Sequence, residues 1–484
     1  MALEVDILGM LFPTLDFFAF FTLVLILNWS LKKWPLIWRL FLLSASYFFY
    51  SVWDWRFLLI LVLVSLFNFL SGLIISKSFS LKRKIFLIIS LIYNLSLLGL
   101  FKYYDFFRVS AESLLEKFGF QPHFPLLEII LPIGLSFYIF KVISYNIDVY
   151  SGKIMPTSSI LDFSIYVSFF PHLLSGPIMR AGDFLIQLKD GGAKKIENLA
   201  ENLALILMGL FKKLVISSYL TLAITDDVFA VPENHSSIII LLAIFAYTLV
   251  IYFDFSGYSD MAIGFAGLLG FKSPINFDSP YLVTNLRDFW RRWHITLSNW
   301  IRDYVYIPLG GSQKGKLRKY FNLMIAMVLT GLWHGAAGHF IFWGFWHGLG
   351  LTLNHVFLDL KRSSNFLKNN WQKTISSFFA GFLTFNFVSF GWIFFRSENL
   401  QTSFSLIKSL FNFQRIFEPF KIYILFLIIF GFFVFLFERK IIKFLIIFQQ
   451  KLPFFLLLLL FPILIILIFK FSPDILPSFI YFKF

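Results

Sequence analysis

The sequence predicts an all-α polytopic membrane protein of about 11 transmembrane helices, with re-entrant or interfacial pieces between them. Three observations predict it. Hydrophobic residues make up 58% of the 484 and charged residues 14%, against roughly 45–50% and about 25% in a soluble domain. Apolar runs recur along the chain at close to the length of roughly 20 residues that a helix needs to cross a bilayer. The 42 Lys+Arg exceed the 27 Asp+Glu by 15, and the excess is spread in short clusters between apolar runs. A water-soluble globule and a disordered chain are excluded, and no basic tail suited to nucleic acid exists. With no cysteine, disulfides, thiolate metal sites and a cysteine nucleophile are excluded too.

In chain order the apolar runs fall at 9–29, 36–52, 56–76, 85–102, 129–147, 160–176, 202–223, 237–256, 322–338, 340–358, 374–395, 421–437 and 453–470. The first has no small-residue cleavage site and reads as an uncleaved anchor. Lys32-Lys33, Lys82-Arg83-Lys84, Lys194-Lys195, Lys314-Lys316-Arg318-Lys319, Lys361-Arg362 and Arg439-Lys440 mark short loops that stay on the cytoplasmic side. Some of these clusters are separated by an odd number of runs, so at least one run should fail to cross. No internal repeat and no long hydrophilic insert interrupts the chain. Residues 1–484 read as one membrane domain, with a motif-bearing core at about 129–358 between peripheral helices in 1–128 and 359–484.

The stretch from Asn276 to Lys319 breaks the pattern, being polar but rich in Arg and Trp, the opposite of a disordered linker. Read as one helix, Leu286–Tyr304 carries an apolar stripe of Leu286, Phe289, Trp290, Trp293, Leu297, Trp300, Ile301 and Tyr304 at spacings of three and four. The rest of its surface then holds Arg287, Arg291, His294, Ser298 and Arg302. One reading is an interfacial helix whose arginines touch lipid phosphates. The other is an anion-recognition face beside a reaction site, since the planar guanidinium matches phosphate and carboxylate. The two are compatible.

A second constellation is Trp333-His334-Gly335 inside an apolar run. An ionisable side chain within the membrane is by default a functional hypothesis, and Gly335 leaves room beside it. The competing reading is a core histidine bonded to a carbonyl. His347 repeats the Trp-His-Gly pattern thirteen residues later, which on an ideal helix puts it on the far side from His334. His339 and His355 lie near the ends of runs. No His-Glu-x-x-His or i,i+4 histidine pair supports zinc, so no metal is expected. Third, Asp254 ends an apolar run and needs a partner if buried; it could orient a histidine or pair with an arginine, or simply form a structural ion pair. Gly264, Gly267 and Gly270 follow at steps suited to close helix packing. Breaks at Pro171-His172, Ser175-Gly176-Pro177 and Ile307-Pro308-Leu309-Gly310-Gly311 are tolerated at membrane depth only when buried in protein or lining a cavity.

These residues together resemble the membrane-bound O-acyltransferase (MBOAT) family, in its bacterial alginate O-acetylation branch. The resemblance runs nearly end to end. It rests on Tyr47-Phe48-Phe49-Tyr50, Leu131-Pro132-Ile133-Gly134-Leu135-Ser136-Phe137-Tyr138, Ser175-Gly176-Pro177-Ile178 and Phe253-Asp254-Phe255-Ser256-Gly257-Tyr258-Ser259-Asp260. Most specific are Phe289-Trp290-Arg291-Arg292-Trp293-His294-Ile295-Thr296-Leu297-Ser298, the run Arg302–Gly311, and Leu332-Trp333-His334-Gly335. It departs at Ala337-Gly338-His339, where relatives often carry a bulky aromatic, and at Lys141, where an uncharged residue is usual. The resemblance implies catalytic roles for His334 and His294 and helices around a central funnel or tunnel. It also implies a cytoplasmic acyl-thioester donor such as acetyl-CoA, with no permanently bound cofactor, in the bacterial inner membrane. The partner it implies is a separate extracytoplasmic acyltransferase or a polysaccharide acceptor.

The chemistry expected is acyl transfer to a hydroxyl, with His334 as general base then acid and His294 positioning or polarising the donor carbonyl. Arg287, Arg291, Arg302 and Ser298 would hold the donor, while Asp254, Trp333 and Gly335 would be structural or orienting. The nearest alternative is D-alanyl transfer to teichoic acid from a carrier protein. A transporter, which would also use broken helices near the midplane, and a non-catalytic scaffold are the readings from other classes.

Overall fold

A computed structural model describes residues 10–120, 124–125, 130–362 and 370–482, for 360–362, 370–373 and 482 by backbone alone. Every regular element among them is helical. The chain divides into two compact units, Met1–Ile206 with Tyr258–Pro274, and Leu207–Gly257 with Ile275–Phe484. Among the described residues five helices are long and apolar enough to span a bilayer: Trp55–Lys77, Ser80–Lys117, Leu199–Ala230, Ser237–Leu268 and Thr374–Arg396. Leu15–Leu31 and Phe454–Lys470 are shorter apolar helices. The protein is a multi-pass membrane protein.

In the first unit, local chemistry sets the helix starts. Thr14 accepts the Phe17 N–H at 3.2 Å at the head of Leu15–Leu31, and Pro35 opens Pro35–Ser51, where a missing N–H costs nothing. Asp54 accepts the Arg56 N–H at 2.8 Å to begin Trp55–Lys77. Buried amides join its long helices. Asn68 Oδ1 accepts from Asn94 Nδ2 at 2.7 Å, from Asn146 Nδ2 at 2.7 Å and from Ser90 Oγ at 3.2 Å. All four side chains are fully enclosed, so each helix supplies what water cannot. The run at 160–176 does not form one spanning helix. It is helical only over Ile160–Ser168 and gives way to a 3₁₀ turn at Phe170–His172, because Pro171 has no N–H to continue the ladder.

In the second unit the runs at 322–338 and 340–358 become a tight helical hairpin, Lys316–His334 and Gly338–Arg362. Small residues permit the close approach: a Cβ on Gly331 would sit 2.1 Å from the Phe340 carbonyl oxygen, and one on Gly344 2.4 Å from that of Met327. The expected helix over Leu286–Tyr304 is not continuous. It is broken into Leu286–Arg292 and Ile295–Ile301, then a π-helical turn at Arg302–Tyr306. His294 sits at the break with φ of 41°, a left-handed conformation that ends a helix. The backbone groups freed there are not orphaned. Ile295 N–H donates to the Asn276 carbonyl at 2.9 Å, and Asp278 N–H to that of Arg292 at 3.0 Å. Periodicity could not reveal this, because the apolar stripe keeps step on both sides of the break.

Candidate active site

The break delivers His294 inward. Its side chain is buried, and Nδ1 lies 3.1 Å from Asn276 Oδ1. That oxygen also accepts from the Thr296 N–H at 3.3 Å and the Thr296 hydroxyl at 2.9 Å. A backbone N–H can only donate, so the Asn276 atom is the oxygen and His294 Nδ1 carries the proton. Nε2 therefore presents a lone pair, is buried, and meets no hydrogen-bond partner among the described residues. Burial pulls the pKa of this imidazole, which lies outside the spanning helices, well below its ordinary value, because the charged form loses its hydration. The edge of Phe255 closes one side at 4.6 Å between ring centroids.

His334 is the last residue of its helix, and Gly335 leaves it in extended backbone. A Cβ on Gly335 would stand 2.2 Å from the Phe340 ring, so glycine is required for that ring to pack beside the motif. His334 is 5% exposed. Its ring is walled by Trp333 at 4.8 Å, Phe395 at 4.9 Å, Trp343 at 5.1 Å and Tyr481 at 5.7 Å.

The two histidines meet through shared neighbours. Trp333 stands 6.2 Å from His294 as well as 4.8 Å from His334. A second link runs from Phe255 to Tyr481 at 4.6 Å and from Tyr481 to His334. Residues about forty positions apart in sequence thus share one aromatic enclosure. An apolar groove of 610 Å³ lined by Tyr219, Leu222, Phe426, Phe430 and Pro473 touches neither of them.

The arginines do not share this face. Arg287 is exposed, Arg291 is exposed and pairs with Asp288 at 3.4 Å, and Arg302 is exposed and pairs with Asp303 at 2.8 Å. Ser298 donates its hydroxyl to the Trp293 carbonyl at 3.1 Å. The helical break is the reason, since it turns His294 inward while the guanidiniums stay on the surface. Asp254 forms a buried ion pair with Lys213 at 2.5 Å, and among the described residues it bonds to neither histidine and to no arginine. His347 is also nearer than an ideal helix allows. The hairpin after His334 folds the chain back, so Trp343 contacts both His334 and His347, the latter at 4.9 Å. His339 is tied to the Phe394 carbonyl through Nδ1 at 2.8 Å, and His355 is half-buried. Tyr481 escaped the sequence reading. It stands in a short aromatic run after the last long helix, and nothing local distinguishes it from the many lipid-facing aromatics.

Residues 151–394 match the model of MBOAT, the membrane-bound O-acyltransferase family. That span holds both histidines. The chain belongs to the membrane-bound O-acyltransferase family. It is 40% identical over 377 residues to the "Probable alginate O-acetylase AlgI" of Pseudomonas aeruginosa, covering 78% of this chain and 70% of that one. It is 37% identical over 405 residues to a peptidoglycan O-acetyltransferase of Helicobacter pylori, covering 78% and 74%. The teichoic acid D-alanyltransferase of Bacillus subtilis is 31% identical over 288 residues, 57% of this chain and 72% of that relative. The protein is a membrane-embedded O-acyltransferase. Within this enzyme Lys141 is buried with Nζ 3.5 Å from the carbonyls of Tyr166 and Val167.

Proposed function

We propose that the enzyme moves an acetyl group from a thioester donor on the cytoplasmic side of the bacterial inner membrane to a hydroxyl of an extracytoplasmic polysaccharide or cell-envelope acceptor. The acceptor class follows the named activities of the relatives in Pseudomonas aeruginosa and Helicobacter pylori. One observation supports the chemistry above the rest: two buried imidazoles, His294 and His334, share a single aromatic enclosure through Trp333.

The acceptor oxygen attacks the thioester carbonyl carbon while its proton passes to His334. As the C–S bond breaks, that proton goes to the departing thiolate. General acid–base catalysis of this kind contributes roughly 10²–10⁴-fold. His294 takes a different part from the carbonyl-polarising one expected from the sequence. With its proton held on Nδ1 by Asn276, Nε2 can accept a hydrogen bond but not donate one. It therefore orients an O–H or N–H of a substrate. The surrounding rings keep water from the thioester. Acetyl-CoA is the donor proposed, and the product passes to an extracytoplasmic acyltransferase or directly to the polymer.

Vesicles holding the enzyme, given labelled acetyl-CoA and a polysaccharide acceptor, test this. The wild type should transfer label and His334→Ala should not, with equal protein in the membrane. Full transfer by that variant would remove His334 from the mechanism. A carrier-borne D-alanyl donor would instead leave acetyl-CoA untouched.

A further inference from the structure

Lys212 and Lys213 are consecutive and both buried, which an ordinary surface pattern never requires. They lie in a π-helical segment, Phe211–Ser217, a local widening of the helix often found at functional sites. Each cation has its own acid. Lys212 pairs with Glu438, whose other oxygen accepts the Tyr252 hydroxyl at 2.6 Å. Lys213 pairs with Asp254 at 2.5 Å.

The second pair holds more than itself. Lys213 Nζ also donates to the Pro477 carbonyl at 3.1 Å, and Asp254 Oδ2 accepts the Ile480 N–H at 2.8 Å. Two charged groups thus grip the backbone of one segment at Pro477 and, three residues on, at Ile480. Charge-assisted bonds to backbone are among the stronger ones available, and a buried pair is costly to break from one side. Between and beyond the grips, Phe479 is buried beside Phe255 at 6.3 Å, and Tyr481 lands against Phe255, Trp333 and His334. The segment has no helix of its own before Ile480, so these bonds fix its register.

We propose that Lys213 and Asp254 are positioning residues for acyl transfer: they clamp Pro477–Tyr481 as a wall of the His334 enclosure, and this wall keeps water off the thioester. The proposal rests on His334 being the transfer site. With the clamp released, water replaces the acceptor hydroxyl: its oxygen bonds to the acyl carbon, the C–S bond breaks, and one proton leaves with the thiol and one with the carboxylic acid formed.

The full-length enzyme in vesicles with labelled acetyl-CoA is assayed for transferred label and released acetate separately. Asp254→Asn should cut transfer by tenfold or more while raising the ratio of acetate to transferred product at least tenfold. Lys213→Arg, which keeps the cation, should hold that ratio near wild type, and His334→Ala should yield neither product. Equal loss of both products in Asp254→Asn, or no change, would overturn the proposal. A donor-independent readout uses the cysteine-free sequence. Ile480→Cys, whose backbone N–H remains, should react slowly with a membrane-permeant maleimide in the parent and at least tenfold faster beside Asp254→Asn. Equal rates would likewise refute the clamp, even were acetyl-CoA the wrong donor.

Discussion

Two of the buried polar clusters, one from each unit, are built on opposite terms. In the first unit Asn68, Ser90, Asn94 and Asn146 bond to one another across three helices. In the second, Asn276 spends its oxygen on His294 and Thr296, and the outer nitrogen of His294 meets no hydrogen-bond partner among the described residues. Both are fully enclosed and both lie in an apolar protein. The amide network spends its groups on joining helices, apart from Asn146 Oδ1, which meets no hydrogen-bond partner among the described residues; the bare Nε2 of His294 instead lies in the aromatic enclosure shared with His334. Leaving such a group unmatched costs on the order of 1–3 kcal/mol, and under the proposed function a substrate O–H or N–H completes it.

That contrast can be broken most sharply at His334. His334→Ala or His334→Gln should lower transfer by roughly 10²–10⁴-fold, read as labelled acceptor per folded enzyme, with normal membrane insertion. Next, Asn276→Ala frees the proton position of His294 without touching its Nε2. Transfer should fall by up to about 10²-fold, the scale of a small misplacement, and His294→Ala should fall at least as far. If Asn276→Ala retained full rate, the tautomer would not matter to the reaction.

The first unit should respond in the other currency. Asn68→Leu removes the shared acceptor, and thermal unfolding in detergent should show a loss of about 1–2 kcal/mol, as measured for interhelical hydrogen bonds in membranes. Turnover per folded molecule should stay unchanged; a selective loss of turnover would erase the distinction between the clusters. Smallest is a pH effect on stability. The folded pKa of His294 is depressed, so the unfolded chain binds the extra proton once pH drops below about 6.5. The stability due to its neutral form is complete above that value and declines as pH falls further, by at most about 1.4 kcal/mol per unit. His294→Gln should lose this acid-side slope. An identical slope in variant and wild type would mean that His294 is hydrated.

Much was legible before any coordinates. The apolar runs at 36–52, 56–76 and 453–470 match helices Pro35–Ser51, Trp55–Lys77 and Phe454–Lys470 to within a residue, because lipid imposes composition and length together. His294 and His334 stood out because a histidine flanked by Trp and Gly in such a chain is costly. What the structure corrects is the single helix over Leu286–Tyr304, and with it the common face of His294 with Arg287, Arg291 and Arg302. The clusters at Lys361-Arg362 lie outside the described side chains.

Length, hydropathy and motif order thus determined the membrane class, the family and the two histidines, since each is a property of neighbouring residues along the chain. Only tertiary structure decided which nitrogen of His294 is bare, that the hairpin brings Trp343 between His334 and His347, and that Tyr481 reaches the site from beyond the last long helix. These depend on a left-handed residue, a helix reversal and a buried ion pair, all of which couple residues distant in sequence and leave no periodic trace.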